Sequence, residues 1–242
     1  MNTCVWFDFG DTLLDFFRFD SDAGIAAVLQ HLLGRAAQPA MLESTIHRSR
    51  YLNELFEERS RVSLLEYDQR VLHRLLYAPV VGSISDETQL EIARIYWDTA
   101  FGFRAQPGIS EALDWLQQQG HPLGIISNAS FPAAFLEREL DRHGISCRFD
   151  IIVSTAEYGI RKPLPEIFRI ADQLRRRTRR QQCDHWYFGN SLLNDVEGAL
   201  AAGWKAVWYN RGGVSAAECP FSAGEIHSWG ELPRILSTGG RA

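Results

Sequence analysis

Continuous apolar runs at 3–7, 122–126 (Pro-Leu-Gly-Ile-Ile), 151–153 (Ile-Ile-Val), 185–188 (His-Trp-Tyr-Phe) and 205–209 (Lys-Ala-Val-Trp-Tyr) punctuate the chain. They do not alternate with polar residues, which predicts strands buried on both faces, as in a parallel sheet. Apolar residues at helical spacing fill the gaps. Ile109, Leu113 and Leu116 follow Pro107-Gly108, and the pattern stops at Gly120. Phe135, Leu136 and Leu140 make a second stripe, and Leu192, Leu193, Val196, Ala199 and Leu200 a third. Ser191 is placed to cap the third stripe and Gly203 to end it. Alternation of this kind predicts an α/β fold with a doubly wound parallel sheet.

Residues 20–103 break the rhythm. Helical patterns run over about 21–34, 39–61, 63–77 and 86–101, carried by residues such as Leu52, Leu55 and Phe56, and by Leu72, Leu75 and Leu76. No strand is legible there. The expected organisation is therefore a core of residues 1–15 and 104–242, with an all-helical cap inserted at 16–103. Such an insertion suits a lid that excludes water from a site at the strand ends. Phe16, Phe17, Phe19, Tyr96 and Trp97 near its junctions are expected to pack as core.

The 242 residues carry a net charge of −5, which argues against a general nucleic-acid or anionic-membrane binder. Arg175, Arg176, Arg177, Arg179 and Arg180 form a local exception, expected to be a solvated helix end. Cys4, Cys147, Cys183 and Cys219 lack metal-type spacing, and Cys4 reads as a small core hydrophobe. With no apolar signal core or membrane span, a cytoplasmic protein is expected, monomeric or a homodimer paired through cap helices.

Polar clusters fall just after strand ends: Asp8 with Thr12, Ser127-Asn128, Lys162-Pro163, and Asn190-Ser191 with Asp195. A parallel sheet gathers such ends at one edge, where open α/β sheets bind ligands. The chemistry is complementary. Asp8 can attack an electrophilic phosphorus or carbon. Ser127 and nearby amides can bind phosphoryl oxygens, and Lys162 can neutralise developing charge. Asp8, Asn190 and Asp195 offer oxygen ligands to magnesium.

The motifs resemble those of the haloacid dehalogenase-like (HAD) hydrolase superfamily. The first, Asp-x-Asp-x-Thr after an apolar strand, reads Asp8-Phe9-Gly10-Asp11-Thr12. The second is Ser127 in Ile-Ile-Ser-Asn, and the third is Lys162-Pro163-Leu164-Pro165-Glu166-Ile167-Phe168. The fourth, Gly-Asp-Ser-x-x-x-Asp, reads Gly189-Asn190-Ser191-Leu192-Leu193-Asn194-Asp195. The resemblance spans the whole chain, including a helical cap after the first motif.

It implies a Rossmann-like core and a hydrolase of small molecules, with Asp8 as nucleophile. Thr12, Ser127 and Asn128 would position it and the substrate, and Lys162 would pair with both. The loop at Gly10 and Asp11 would face the phosphoryl group. Magnesium would sit among Asp8, the Gly10 carbonyl, Asn190 and Asp195, the last directly or through water.

Two residues depart from the pattern. Gly10 stands where the family's phosphatases carry the general acid and base, a group worth about 10²–10⁴-fold in rate. Asn190 replaces a metal-binding carboxylate. Asp11 is a candidate substitute for the acid, or a turn residue bonding its own backbone. Besides a magnesium-dependent phosphatase, the departures admit a metal-independent 2-haloacid dehalogenase, which also lacks the second acid and has Ser-Asn in its second motif. Dehalogenases place a tyrosine six residues after the motif lysine, where this chain has Phe168, and neither Arg18 nor Arg35 stands out as a halide ligand. A binding or regulatory protein on the same fold is the third reading.

Overall fold

The computed structural model describes residues 2–178, 183–215 and 224–238. Its contacts divide the chain into two compact units, Met1–Asp15 with Arg104–Ala242, and Phe16–Phe103.

The first unit holds a six-stranded parallel sheet. In chain order its strands are β1 (Asn2–Phe7), β4 (Leu123–Ser127), β5 (Ile151–Ser154), β6 (Cys183–Gly189), β7 (Lys205–Tyr209) and β8 (Gly224–Ile226). Across the sheet they run β5-β4-β1-β6-β7-β8. The apolar runs form the core strands as expected, and three-residue β8 is an addition too short to read from periodicity. The order reverses between β1 and β6, so the loops leaving those two strands flank the crevice where such sheets bind ligands. Strands β1 and β6 pair in register from Asn2↔Cys183 to Phe7↔Phe188. Val5, Trp6, Phe7, Tyr187 and Phe188 are buried, and burial of each such side chain is worth about 1.5–3 kcal/mol.

Helices α5 (Ile109–Gln118), α6 (Ala133–Arg142) and α7 (Pro165–Thr178) connect the strands. After β6, a π-helical turn at Leu192–Glu197 leads into a short α-helix at Gly198–Ala201, with the Ser191 side chain accepting from Asn194 N–H at the start. No helix among the described residues is long and apolar enough to cross a membrane.

The second unit carries α1 (Ser21–Leu33), α2 (Pro39–Ser63), α3 (Gln69–Val81) and α4 (Asp86–Ala100). It is not purely helical. Strands β2 (Leu14–Phe19) and β3 (Phe101–Ala105) form a separate two-stranded sheet. Their aromatic residues cluster, Phe19 stacking on Phe101 at 5.1 Å and Trp97 on Phe103 at 5.4 Å. Tyr96 and Trp97 are buried as expected, but Phe16, Phe17 and Phe19 are exposed, the last two by more than half, because a two-stranded ribbon covers only part of each ring.

The beginning of the sheet corrects two further expectations. Cys4 is buried, but it is bonded to Cys183 in a disulfide between β1 and β6. His185 lies beside this pair. Its Nδ1 accepts from the Trp6 indole N–H at 3.0 Å, so the proton sits on Nε2, which lies 3.0 Å from Asp172 Oδ1. With both sulfurs joined and both imidazole nitrogens engaged, this cluster is not arranged to ligate a metal. Arg175 is buried rather than solvated, because Asp172 accepts from its guanidinium at 3.1 Å. Arg176 does lie exposed, while Arg179, Arg180 and Cys219 fall outside the described residues.

Candidate active site

Strand β1 ends at Phe7, and the next residue delivers a carboxylate. Asp8 N–H still donates to the Phe188 carbonyl at 2.9 Å, so its backbone remains part of the sheet edge. The chain then turns sharply. Phe9 carbonyl accepts from Leu13 and Leu14, and Asp11 adopts a left-handed φ of 57°. An aspartate tolerates that conformation better than most residues. The turn brings Thr12 back under Asp8, fully buried, with its hydroxyl 3.2 Å from Asp8 Oδ2 and 3.2 Å from Asn190 Oδ1.

Lys162 reaches the same point from 154 residues away. Its ammonium donates to Asp8 Oδ1 at 2.7 Å, Asp195 Oδ1 at 2.6 Å and the Tyr187 hydroxyl at 2.8 Å. An ammonium has three N–H donors, and each has an acceptor here. The lysine backbone is held as well: Asn128 Oδ1 accepts from Lys162 N–H at 2.8 Å, and Asn128 Nδ2 donates to the Lys162 carbonyl at 3.1 Å. Asn128 does not cap α6, whose N-cap is Pro132. Ser127 is buried at the end of β4, aligned with Ser154 of β5.

Asp195 is fixed by its second oxygen, which accepts from Ser191 N–H at 2.8 Å. Its carboxylate passes so close to Gly189 that a Cβ there would fall 2.3 Å from Asp195 Cγ. That approach requires glycine before Asn190. The Asn190 carbonyl accepts from Trp208 Nε1 at 3.0 Å, which anchors the loop after β6.

Burial pushes the Asp8 carboxyl up to about 6; Lys162 opposes this and the Asp195 charge adds to it. Burial also works against the Lys162 ammonium, but Asp195 and Asp8 outweigh it and leave that group above its ordinary value. Two carboxylates thus share one ammonium, and spare negative charge remains.

Asp8, Asp195 and the Asn190 carboxamide offer oxygen donors of the kind hard divalent cations take, and Gly10 adds a carbonyl on the loop that follows Asp8. Asn190 Oδ1 and Asp8 Oδ2 each lie 3.2 Å from the one Thr12 hydroxyl, so they belong to the same small space. The residues fit magnesium in donor chemistry and in charge.

Asp11 is exposed and lines a cavity of about 250 Å³ with Asn190, Trp208, Asn210 and Arg211. Its charge contributes to the field that, with the Asp15 hydrogen bond foremost, raises the Arg211 guanidinium. Around Gly10 an ideal Cβ meets nothing within 4 Å. The structure therefore brings Asp8, Thr12, Lys162, Asn190 and Asp195 together, and gives Asn128 a backbone-clamping part. Tyr187 was not legible as a site residue, because within the run 185–188 it reads as one more buried aromatic.

Residues 5–209 match the profile of a family described as "Haloacid dehalogenase-like hydrolase". The chain is 30% identical over 217 residues to a glyceraldehyde 3-phosphate phosphatase of Methanothermobacter thermautotrophicus, covering 87% of this chain and 86% of that one. It is 28% identical over 215 residues to a glyceraldehyde 3-phosphate phosphatase of Methanopyrus kandleri, covering 88% and 85%. A 2-haloacid dehalogenase structure from Pseudomonas syringae pv. Tomato superposes with a TM-score of 0.64 over 99% of this chain and 100% of that one, at 24% identity, a likeness of fold.

Proposed function

The chain belongs to the haloacid dehalogenase-like hydrolase family, and on that premise we propose that it hydrolyses a small phosphate ester through an aspartyl intermediate on Asp8, with magnesium. The observation that carries this reading is the triple contact of Lys162, whose Nζ lies 2.7 Å from Asp8 Oδ1 and 2.6 Å from Asp195 Oδ1. Residues distant in sequence would not converge in a buried charge cluster without a use for it, since burying such groups is costly.

In this reading Asp8 attacks phosphorus and the ester P–O bond breaks, the departing oxygen taking its proton from water because Gly10 offers none; a second water then cleaves the aspartyl phosphate, releasing phosphate and restoring the Asp8 carboxylate. Thr12 orients the carboxylate. Lys162 neutralises charge that builds on the phosphoryl oxygens, at a site where low dielectric strengthens the effect. Ser127 and the loop at Gly10 and Asp11 contact the phosphoryl group, and Asn128 fixes the lysine that does so. Magnesium held by Asp8, the Gly10 carbonyl, Asn190 and Asp195 would, when bound, screen the repulsion between anionic nucleophile and anionic substrate. Residues 16–103 are the unit we assign to substrate selection, and the names of the relatives make phosphorylated three-carbon compounds the first to try. We place the protein in the cytoplasm, where the Cys4–Cys183 bond belongs to an oxidised form.

One feature favours a second reading. Gly10 supplies no proton to a leaving group, and a halide departing from a 2-haloacid needs none. A panel of phosphorylated metabolites and 2-haloacids, with and without magnesium, on wild type and Asp8→Asn, decides. Magnesium-dependent phosphate release lost in the variant is expected. Metal-independent halide release would make the protein a dehalogenase, and no turnover, with ligand-induced stabilisation retained in Asp8→Asn, would make it a binding protein.

A further inference from the structure

Tyr187 stands on β6 with its ring fully buried, edge-on to Phe168 at a centroid distance of 5.1 Å. In the sheet it pairs with Trp6 of β1. Its hydroxyl reaches two partners on other parts of the fold. It donates to the Ile126 carbonyl of β4 at 2.8 Å and accepts from Lys162 Nζ at 2.8 Å. Asp195 Oδ1 lies farther off, at 3.4 Å. A phenol has one proton, and the shorter contact to a main-chain carbonyl takes it. The oxygen lone pairs are thereby turned toward the lysine.

That geometry answers a mechanical problem. A lysine has a long flexible stem, and its ammonium is a compact charge with three rotatable donors. Two carboxylates would hold the ammonium near themselves without fixing its rotation or the direction of approach. A third, rigid acceptor removes the remaining freedom. Tyr187 is rigid because strand pairing, close ring packing and the Ile126 bond all constrain it. We infer that Tyr187 is a positioning residue of this site, its hydroxyl being the third acceptor that aims the Lys162 ammonium at Asp8. The inference deepens the hydrolase reading and rests on it for the catalytic consequence, but the positioning itself is a property of the folded chain.

The chain has only two lysines, Lys162 and Lys205, so lysine labelled with ¹³C at Cε and ¹⁵N at Nζ gives a spectrum with one signal set from the site and one control. Lys205 is 44% exposed, beside Asp184. In wild type the two Lys162 Hε protons are expected to be inequivalent and to show nuclear Overhauser contacts to the Tyr187 ring, while Lys205, over the Trp186 ring at 4.9 Å, gives a separate reference signal. In Tyr187→Phe, which keeps the ring, the Lys162 Hε protons should collapse toward equivalence and Lys205 should not change. Turnover of p-nitrophenyl phosphate with magnesium should then fall about 5- to 30-fold in kcat, with KM within twofold, because substrate still binds but meets a misdirected charge.

Unchanged Lys162 signals and kcat within twofold in a folded Tyr187→Phe would overturn the inference. So would absence of the Lys162–Tyr187 contact in the wild-type spectrum, a measurement that stands even if the variant does not fold. A wild type inert toward every phosphate would defeat the phosphatase reading alone, and the spectra would still decide the positioning role.

Discussion

Asn128 grips Lys162 by its peptide group: one carboxamide accepts from the lysine N–H at 2.8 Å and donates to the lysine carbonyl at 3.1 Å, as a neighbouring strand would. The end of β4 thereby sets where the loop carrying the buried ammonium begins. Asn128→Ala removes both bonds and leaves a polar peptide without its partner. A loss of about 1–3 kcal/mol in stability is expected, and a roughly 10- to 100-fold loss in kcat follows from a lysine displaced by as little as an ångström. Asn128→Asp, which keeps only the acceptor, should fall between. Denaturant melts and steady-state kinetics on the three proteins test the order.

Asp8→Asn should be inactive and yet more stable than wild type at pH 7.5. Burial raises the Asp8 carboxyl to about 6, so the folded state disfavours its ionised form. The sign follows from proton linkage: the contribution of this group is favourable below about pH 4 and is lost as pH rises through 6. A neutral carboxamide still accepts from Lys162 and removes that penalty, a gain of about 1–3 kcal/mol. Equal or lower stability of the variant would show that Lys162 compensates Asp8 fully.

Gly10→Asp should add activity. Open space surrounds the Cβ position, and the backbone there is not left-handed. A carboxyl group at this position can protonate the leaving oxygen, an effect of roughly 10²–10⁴-fold when well placed. The gain should be larger for an alkyl phosphate than for p-nitrophenyl phosphate, whose leaving group departs readily without a proton. Equal gains, or none, would mean that leaving-group protonation does not limit the wild-type rate.

His73 of α3 should make the protein sensitive to acid. It is fully buried, and burial pushes its imidazole down to about 3 against an ordinary value near 6.5. A neutral buried histidine contributes stability above pH 6.5 that is lost as pH falls, because the unfolded chain takes up the proton first. Between pH 6.5 and 5 the loss from this one group is about 2 kcal/mol. Thermal melts from pH 7.5 to 5 should show it, and His73→Phe should flatten that part of the curve.

Reduction of the Cys4–Cys183 disulfide should lower stability by about 2–5 kcal/mol, since the bond closes a span of 179 residues in the unfolded chain. Phosphate release should change less than twofold. The disulfide joins β1 and β6 near their starts, whereas Asp8 and Asn190 follow their ends, and paired strands between them hold the register. Melts and assays with and without reductant, and on Cys4→Ser, separate the two effects.

The core strands β1 and β4 to β7, most of the helices and the positions of Asp8, Lys162 and Asp195 were legible in the linear order of residues, although α3 runs over Gln69–Val81 rather than 63–77 and the last helix, Leu232–Ser237, was not read. Each legible feature is marked by local signals: a continuous apolar run, a helical stripe, a polar residue at a strand end. The departures at Gly10 and Asn190 stand out only against the motifs of the family that the chain resembles. Strands β2 and β3 were not legible, because each is a short mixture of aromatic and charged residues that becomes a strand only through its partner. The same holds for Arg175, which reads as solvated until Asp172 meets it. Tertiary structure alone decided that Cys4 meets Cys183, that Asn128 grips the Lys162 peptide, and that Tyr187 turns its hydroxyl to Lys162. The physical reason is common to these cases. Sequence pattern records whether a residue prefers water or the interior, while a hydrogen bond, an ion pair or a disulfide depends on the distance and direction of a second group that only the folded chain brings near.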